Sequence, residues 1–209
     1  MFDLPKHTQV NKSIPKNAFD NFTNTKQKRL ITESIDKIKW VNKLSTSTTN
    51  LPHNEIEEVQ LFKIELKKKV DIKHSLEIID KSIPYHIIFL IYYGGEVMLS
   101  LSKKHPHPSN KTSVVDWSFQ TNWIKEENFD YKIHLKKSID FVVEDLCNQI
   151  SGNIELDINS LIEINSKKQK LESEIDRLSK KIKTTKQFNK KVELNIELEK
   201  IKKKYDKLS

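Results

Sequence analysis

Glycine is nearly absent from this chain, and two of its three glycines stand side by side between two apolar runs. The runs cover residues 87–93 and 97–101, and the pair between them is Gly94-Gly95. Adjacent glycines supply the positive φ angles that a two-residue hairpin turn requires. The sequence therefore predicts two antiparallel strands joined at Gly94-Gly95, and this hairpin indicates that the fold contains a β-sheet.

A further strand and a crossover are predicted before the hairpin. From Ile56 the apolar residues fall on both faces of a period-two pattern, which is typical of an inner strand. A short helix then runs from Asp71, its capping residue, to Ile83 and is closed by Pro84. The strand–helix–strand from Glu57 to Ile91 is compatible with a right-handed parallel crossover. Two more strands are expected from the alternation of Val115, Trp117 and Phe119 and of Tyr131, Ile133 and Leu135.

Helices are predicted on both sides of this sheet. The first should run from about Thr25 to Leu44, because its apolar residues recur at spacings of three and four. A second should run from Ser138 to Ile150, with Gly152 as its C-cap. Residues 1–24 should form an ordered arm. Together these elements predict an α+β body over residues 1–152, with a mixed sheet of about five strands and packed helices.

The remaining residues, 153–209, have a helical period of their own. Two heptad seams are present, separated by a polar stretch that puts them out of register. We expect them to form a coiled-coil helical hairpin, whereas one long helix that dimerises is the alternative. The residues expected to pack in the hairpin are Leu171, Ile175, Leu178, Ile182, Leu194, Leu198, Ile201 and Tyr205.

Positive charge is concentrated in this C-terminal segment. Residues 165–209 contain 15 Lys and Arg against 7 Asp and Glu, so their formal charge of +8 equals that of the whole chain. Two explanations remain open: a solubilised helix face, or a surface that binds nucleic acid or an acidic protein partner. The candidate contact residues are Lys180, Lys181, Lys183, Lys186, Lys190 and Lys191.

Several classes of function are disfavoured. The single cysteine, Cys147, lies in an apolar run and is expected to be buried and inert, which excludes disulfides and thiolate metal clusters. No apolar stretch is long enough for a membrane span and no secretory signal is evident, so we expect a cytoplasmic protein without a membrane partner. His105 and His107 lack further ligands, and the glycines leave none for a phosphate loop. We therefore expect neither a metal nor another cofactor.

Five blocks of the sequence carry a family resemblance: residues 2–16, 38–45, 57–62, 79–85, and 186–195 with Leu198. In these blocks the chain resembles the bacterial family catalogued as domain of unknown function 4391. This resemblance implies a genomic context, beside helicases and DNA methyltransferases in anti-phage or restriction-like loci, rather than a residue-level activity.

One short pattern is compatible with catalysis. Restriction-type nucleases place an acidic residue and a lysine two positions apart on one strand, where the carboxylate holds Mg²⁺ and the lysine positions water. Glu65-Leu66-Lys67 has this spacing, and Glu58 lies earlier on the same strand. Such a site also needs an Asp at the end of a preceding strand, and the upstream segment is predicted to be helical.

Two functions from different classes follow. The first is a non-enzymatic accessory subunit that docks onto a helicase or methyltransferase and can contact DNA through its basic tail. The alternative is a metal-dependent nuclease that uses Glu58, Glu65 and Lys67 with Mg²⁺. Whether these three side chains converge with another carboxylate separates the two.

Overall fold

The computed structural model describes residues 2–109, 112–152 and 156–208, which form an α+β protein built on one mixed sheet. The strands are β1 Gln9–Ser13, β2 Ile35–Ser45, β3 Glu58–Leu66, β4 His86–Tyr93, β5 Glu96–Pro106, β6 Ser113–Gln120 and β7 Ile124–Lys125. They lie in the order β1-β2-β3-β4-β5-β6, and β7 pairs with β5. The described residues thus form seven strands rather than the five expected, because β1, β2 and β7 were not predicted and one predicted strand, over Tyr131–Leu135, does not form.

Helices precede, connect and follow these strands. Three 3₁₀ turns, Lys6–Thr8, Lys16–Phe22 and Glu126–Asn128, complete the regular structure of the described residues. The α-helices are α1 Thr25–Ser34, α2 Thr46–Thr49, α3 Lys73–Ser82, α4 Ile139–Ser151, α5 Ile158–Thr184 and α6 Phe188–Asp206.

The centre of the sheet agrees with the sequence patterns. β3 pairs in parallel with β4, and α3 makes the connection between them. β4 and β5 form the antiparallel hairpin, in which Gly94 and Gly95 have φ angles of 58° and 79°. Gly152 follows α4 with a φ of 66°, as expected of a C-capping glycine.

The predicted helix from Thr25 to Leu44 is wrong in its second half. A capping box between Asn24 and Gln27 begins α1, but the helix ends at Ser34 and β2 follows immediately. Ile35 and Ile38 pair with Leu66 and Ile64 on β3, with a bulge between them. The extra residue of a bulge changes the spacing of same-face side chains from two to three. This spacing continues the helical period of α1, so the sequence pattern does not reveal the strand.

The strand predicted over Tyr131–Leu135 is also absent. This segment is irregular, and the backbone groups of Lys132 bond to a side chain instead of to a neighbouring strand. The Lys132 N–H donates to Gln149 Oε1 (3.0 Å), and Gln149 Nε2 donates to the Lys132 carbonyl oxygen (2.9 Å). Because Gln149 on α4 satisfies both backbone groups of Lys132, this residue does not require a strand partner.

One face of the sheet carries a well-defined apolar core. Side chains from β2, β3 and β4 pack there with α1, α3 and the 3₁₀ turn Lys16–Phe22. Phe62 and Phe89 meet edge to face at its centre, with 6.1 Å between ring centroids. On β3 this face uses Phe62, Ile64 and Leu66, so Lys63 and Glu65 project from the opposite face.

The chain divides into two compact units, Met1–Ile150 and Ser151–Ser209. In the second unit α5 and α6 fold back on each other across the short connection 185–187, and Tyr205 Oη donates to Glu172 Oε1 at 2.7 Å. Leu178, Leu194, Leu198 and Ile201 are buried between the two helices, and Leu171, Ile175 and Ile182 pack against them.

Truncation tests whether the first unit is an independent domain. The boundary predicted between Gly152 and Asn153 falls beside residues 153–155, which lie outside the described part of the chain. We expect a chain ending at Gly152 to remain soluble and to unfold in one cooperative thermal transition, since its sheet has an apolar core of its own. Circular dichroism and calorimetry measure the thermal unfolding of this fragment. A molten or insoluble fragment, alongside a folded full-length chain, would place the hairpin within the core.

Candidate functional site

The turn of the hairpin carries the highest density of uncompensated positive charge. Residues 178–192 hold six lysines and no acidic residue. All six side chains are exposed, and they are those named from the sequence: Lys180, Lys181, Lys183, Lys186, Lys190 and Lys191. We call this region, from the end of α5 through the connection to the start of α6, the hairpin tip.

The lysines of the hairpin tip are not engaged by the carboxylates of the hairpin. The ion pairs of α5 and α6 in the described residues are Lys167–Glu163, Arg177–Glu174 and Lys202–Glu199, and all lie outside residues 178–192. Six ammonium groups on about 15 residues therefore retain their hydration and their full attraction for an anionic ligand. The two helices fix where these groups project, because the seam between α5 and α6 holds the tip together.

The three residues of the nuclease hypothesis do not converge. Glu58 and Glu65 lie at opposite ends of β3, seven residues or about 23 Å apart. Glu58 is buried, its Oε2 lies 2.6 Å from Lys43 Nζ, and its Oε1 accepts from Gln60 (2.7 Å). Its buried carboxylate is already engaged by these two side chains, which weighs against a role for Glu58 as a metal ligand.

Glu65 and Lys67 have separate partners. The Glu65 carboxylate faces Lys63 (3.1 Å) and Lys37 (3.8 Å). Lys67 lies just beyond β3, and its Nζ donates to the carbonyl oxygen of Thr32 in the last turns of α1 (2.9 Å). Although Glu65 and Lys67 are only two residues apart, their side chains therefore do not converge on one ligand position.

A carboxylate that the sequence analysis set aside is nevertheless close to Glu65 along the sheet. Asp36 is the bulged residue at the start of β2, opposite the Glu65–Leu66 end of β3. It lines the same groove as Glu65, with a volume of about 380 Å³ and a rim that includes Lys16, Lys37 and Lys63. Because residues 35–44 were expected to be helical, Asp36 was not counted as a strand-end aspartate.

In the described ranges, no group of three or more His, Cys, Asp and Glu side chains is placed to hold a metal ion. His105 Nδ1 lies 3.0 Å from Asp116, whereas His107 Nδ1 accepts from the Ser109 N–H, so the two loop histidines have different partners. Cys147 is buried, and burial raises the pKa of its thiol, which opposes a role as a nucleophile.

A buried ion pair beneath the sheet was not apparent from the sequence. Lys104 Nζ lies 2.7 Å from Asp80 Oδ1 and also donates to the carbonyl oxygens of Asp80 and Ile83 (2.7 and 2.8 Å). Ser102 donates to the second carboxylate oxygen of Asp80. All three N–H donors of the Lys104 ammonium thus have acceptors. The Asp80–Lys104 ion pair joins α3 to β5, and its role is structural rather than that of an open binding site.

No helix in the described part of the chain is both long and apolar enough to cross a membrane.

The fold and its surfaces define an α+β protein with a basic helical hairpin. The chain belongs to the family described as Domain of unknown function (DUF4391), whose model matches residues 2–204. The resemblance seen in the sequence is confirmed at the level of the family. No curated protein and no solved structure shows a significant match to the chain.

Proposed function

We propose that this protein is a cytoplasmic, non-enzymatic accessory subunit of a bacterial anti-phage or restriction-like DNA-processing system. In this role the hairpin tip docks onto a helicase or DNA methyltransferase of the same locus. The observation that carries the proposal is the set of six exposed lysines at the tip, with no acidic residue among residues 178–192. Clustered charge of one sign steers association with an oppositely charged surface.

The same lysines can also attract DNA. Lysine binds phosphate as a point charge and neutralises it regardless of sequence, so a DNA contact would be sequence-independent and would weaken steeply with salt. A complex with a protein surface depends on salt less steeply when apolar contacts contribute to it.

Sedimentation of purified components tests the proposal. We expect the chain alone to sediment as a monomer, because the apolar seam is closed within one hairpin. When it is mixed with the purified helicase or methyltransferase, we expect a faster stoichiometric complex. A chain that dimerises alone and binds neither enzyme contradicts the proposal, since it would assign the hairpin to self-association.

The position of Asp36 favours a second candidate function, a metal-dependent nuclease. An aspartate at the end of the preceding strand is the element that the sequence analysis did not find, and β2 provides one beside Glu65. In that role Asp36 and Glu65 would hold Mg²⁺, and Lys63 or Lys67 would position the attacking water. The two lysines that already pair with Glu65, and the engagement of Lys67 by α1, weigh against it.

Replacing Glu65 by alanine separates the two candidates. Under the accessory function, Glu65→Ala leaves biological activity intact, because Glu65 is a partly exposed charge on a strand face. The purified wild-type chain should likewise leave plasmid DNA uncut with or without Mg²⁺. Cleavage that requires Mg²⁺ and disappears in both Glu65→Ala and Asp36→Ala, with unchanged melting temperatures, would establish the nuclease instead. Glu33→Ala, an exposed acidic variant on α1, serves as the matched control.

A further inference from the structure

Phe188 is the most exposed large apolar side chain among the described residues, with 77% of its surface open to solvent. It is the first residue of α6 and directly follows the connection 185–187 at the hairpin tip. The buried seam between α5 and α6 does not include it. An isolated apolar residue on a surface needs no explanation by itself, so the chemistry around the ring decides what it can do.

The charged side chains nearest to Phe188 in the chain are all positive. Lys186, Lys190 and Lys191 are exposed and lie within three residues of it, and its two immediate neighbours carry uncharged amides. On α5 the last acidic residue, Asp176, lies about two turns before the end of the helix. We call Phe188 and these three lysines the Phe188 site.

The acidic residues of α6 lie beyond this site. Glu193 is the first of them, and a separation of five residues turns it roughly 140° around the helix from Phe188. Glu197 and Glu199 follow roughly 14 and 17 Å along the helix axis from the ring. The exposed aliphatic side chains farther along α6 stand among these carboxylates and are therefore not part of the Phe188 site.

We propose that the Phe188 site binds single-stranded DNA, with an unpaired base stacked on the ring and the neighbouring phosphates held by the three lysines. Stacking on an aromatic side chain tolerates any sequence, because every base has a π face. Lysine neutralises phosphate as a point charge, which is equally independent of sequence. This inference goes beyond docking onto an enzyme and rests on the proposed function only for its setting, since a helicase produces unpaired strands.

The ring favours a single strand over a duplex. Bases inside a duplex are stacked on one another, so their faces are closed to Phe188. Lysines alone attract the phosphates of both forms. The aromatic ring is thus the part of the site that distinguishes an unpaired strand from paired DNA.

The surroundings of the ring favour a base over a protein pocket as the group that covers it. An aromatic anchor of a protein interface lies in a fully desolvated patch. Apart from Phe188, every side chain from residue 183 to residue 191 is polar, so burying this segment in a protein would desolvate lysines and amides around one ring. A stacked base covers only one face of the ring and leaves the lysines in water beside the phosphates. The lysines at the end of α5 remain available to the enzyme.

Three substitutions at position 188 of the full chain test the stacking. Phe188→Ala removes the ring, Phe188→Leu keeps apolar volume without a π face, and Phe188→Tyr keeps the π face. The probes are a 20-nucleotide oligothymidine strand and a duplex of the same length, with affinities measured by fluorescence anisotropy at low salt. All three variants should melt at the wild-type temperature because the position is exposed.

We expect the alanine and leucine variants to bind the single strand about 10-fold more weakly than wild type, and the tyrosine variant to bind it within a few-fold. Affinity for the duplex should be unchanged in all three. A strand of the same length with abasic sugars keeps the phosphates but has no bases. On this strand the three variants and the wild type should bind alike.

The lysines of the site have their own variant. Replacing all three by Gln should weaken binding of the single strand and of the duplex, and it should lower the slope of log affinity against log salt for the single strand by about 2. The matched control replaces three exposed lysines farther along the hairpin, namely Lys170, Lys200 and Lys204. It should bind the single strand within a few-fold of wild type.

The results that would overturn the proposal are distinguishable. Wild-type strand affinity in Phe188→Leu would mean that the ring acts through apolar bulk rather than stacking. A wild-type chain that does not bind the single strand, or strand affinity that no substitution at position 188 changes, would remove Phe188 from any DNA site. Weaker binding of the purified helicase or methyltransferase, with strand affinity unchanged, would assign the ring to a protein interface. All of these results leave the accessory function in place, which fails only if the wild-type chain binds neither enzyme.

Discussion

Replacing Asp80 by leucine should lower the free energy of unfolding by about 3–5 kcal/mol, the largest single-residue effect we expect in this protein. Asp80 and Lys104 have side-chain exposures of only 5% and 1%. Removal of the carboxylate leaves the Lys104 ammonium buried with carbonyl acceptors but no opposite charge. Lys104→Met should be similarly destabilising, because it leaves the Asp80 carboxylate without its cation. Chemical denaturation of the purified variants measures both.

The double variant is the control for this prediction. Asp80→Leu with Lys104→Met removes both charges, and it should recover most of the stability lost in either single variant. If the double variant loses as much unfolding free energy as the two single variants together, side-chain shape rather than charge pairing determines the stability of this part of the core. A second readout is His86, because burial and then the charge of Lys104 lower its imidazole pKa to about 4. In Lys104→Met the pKa of His86 should rise, which NMR titration can follow.

Charge reversal at the hairpin tip should have the largest effect on binding. Substituting Lys180, Lys181, Lys190 and Lys191 by Glu should weaken association with the partner enzyme on the order of 100-fold, because like charges then face an acidic surface. Folding should be spared, since all four side chains are exposed. The matched control reverses four exposed lysines elsewhere in the hairpin, namely Lys170, Lys200, Lys204 and Lys207.

The salt dependence of wild-type binding completes this experiment. If DNA is the ligand, its affinity should fall by several orders of magnitude between 50 and 200 mM salt, roughly as expected for six or more phosphate contacts. A protein groove that covers apolar side chains should show a shallow dependence. A complex that tolerates both added salt and charge reversal would mean that the many lysines reflect the base composition of the gene. The hairpin would then have a purely mechanical role.

The elements that sequence could predict are those set by local patterns. Gly94-Gly95 requires positive φ angles whatever surrounds it, and the heptad spacing from Leu171 to Ile182 defines a seam within one helix. The Lys-rich turn between α5 and α6 is visible from composition alone. Each of these signals depends on residues close together in the chain.

The elements that sequence did not predict depend on pairing between distant residues. The bulge at Asp36 is defined only against β3, and without that partner the spacing of Ile31, Ile35 and Ile38 is that of a helix. The same error removed Asp36 from the candidate carboxylates. Asp80 and Lys104 are 24 residues apart, and each resembles an ordinary surface charge in its own segment. The exposed apolar residues of α6, Phe188, Val192 and Ile196, become recognisable as a separate set only once the seam has been assigned to the other face of this helix.

Protection of cells against phage by the complete locus tests the central claim most directly, because binding and catalysis predict opposite results for two variants. One variant is Asp36→Ala with Glu65→Ala, which removes both carboxylates of the groove, and the other carries the four Lys→Glu substitutions of the hairpin tip. With equal protein levels, the accessory function predicts that the carboxylate variant protects like wild type, measured as efficiency of plating, whereas the tip variant protects no better than deletion of the gene. Full protection by the tip variant together with loss of protection in the carboxylate variant would contradict it.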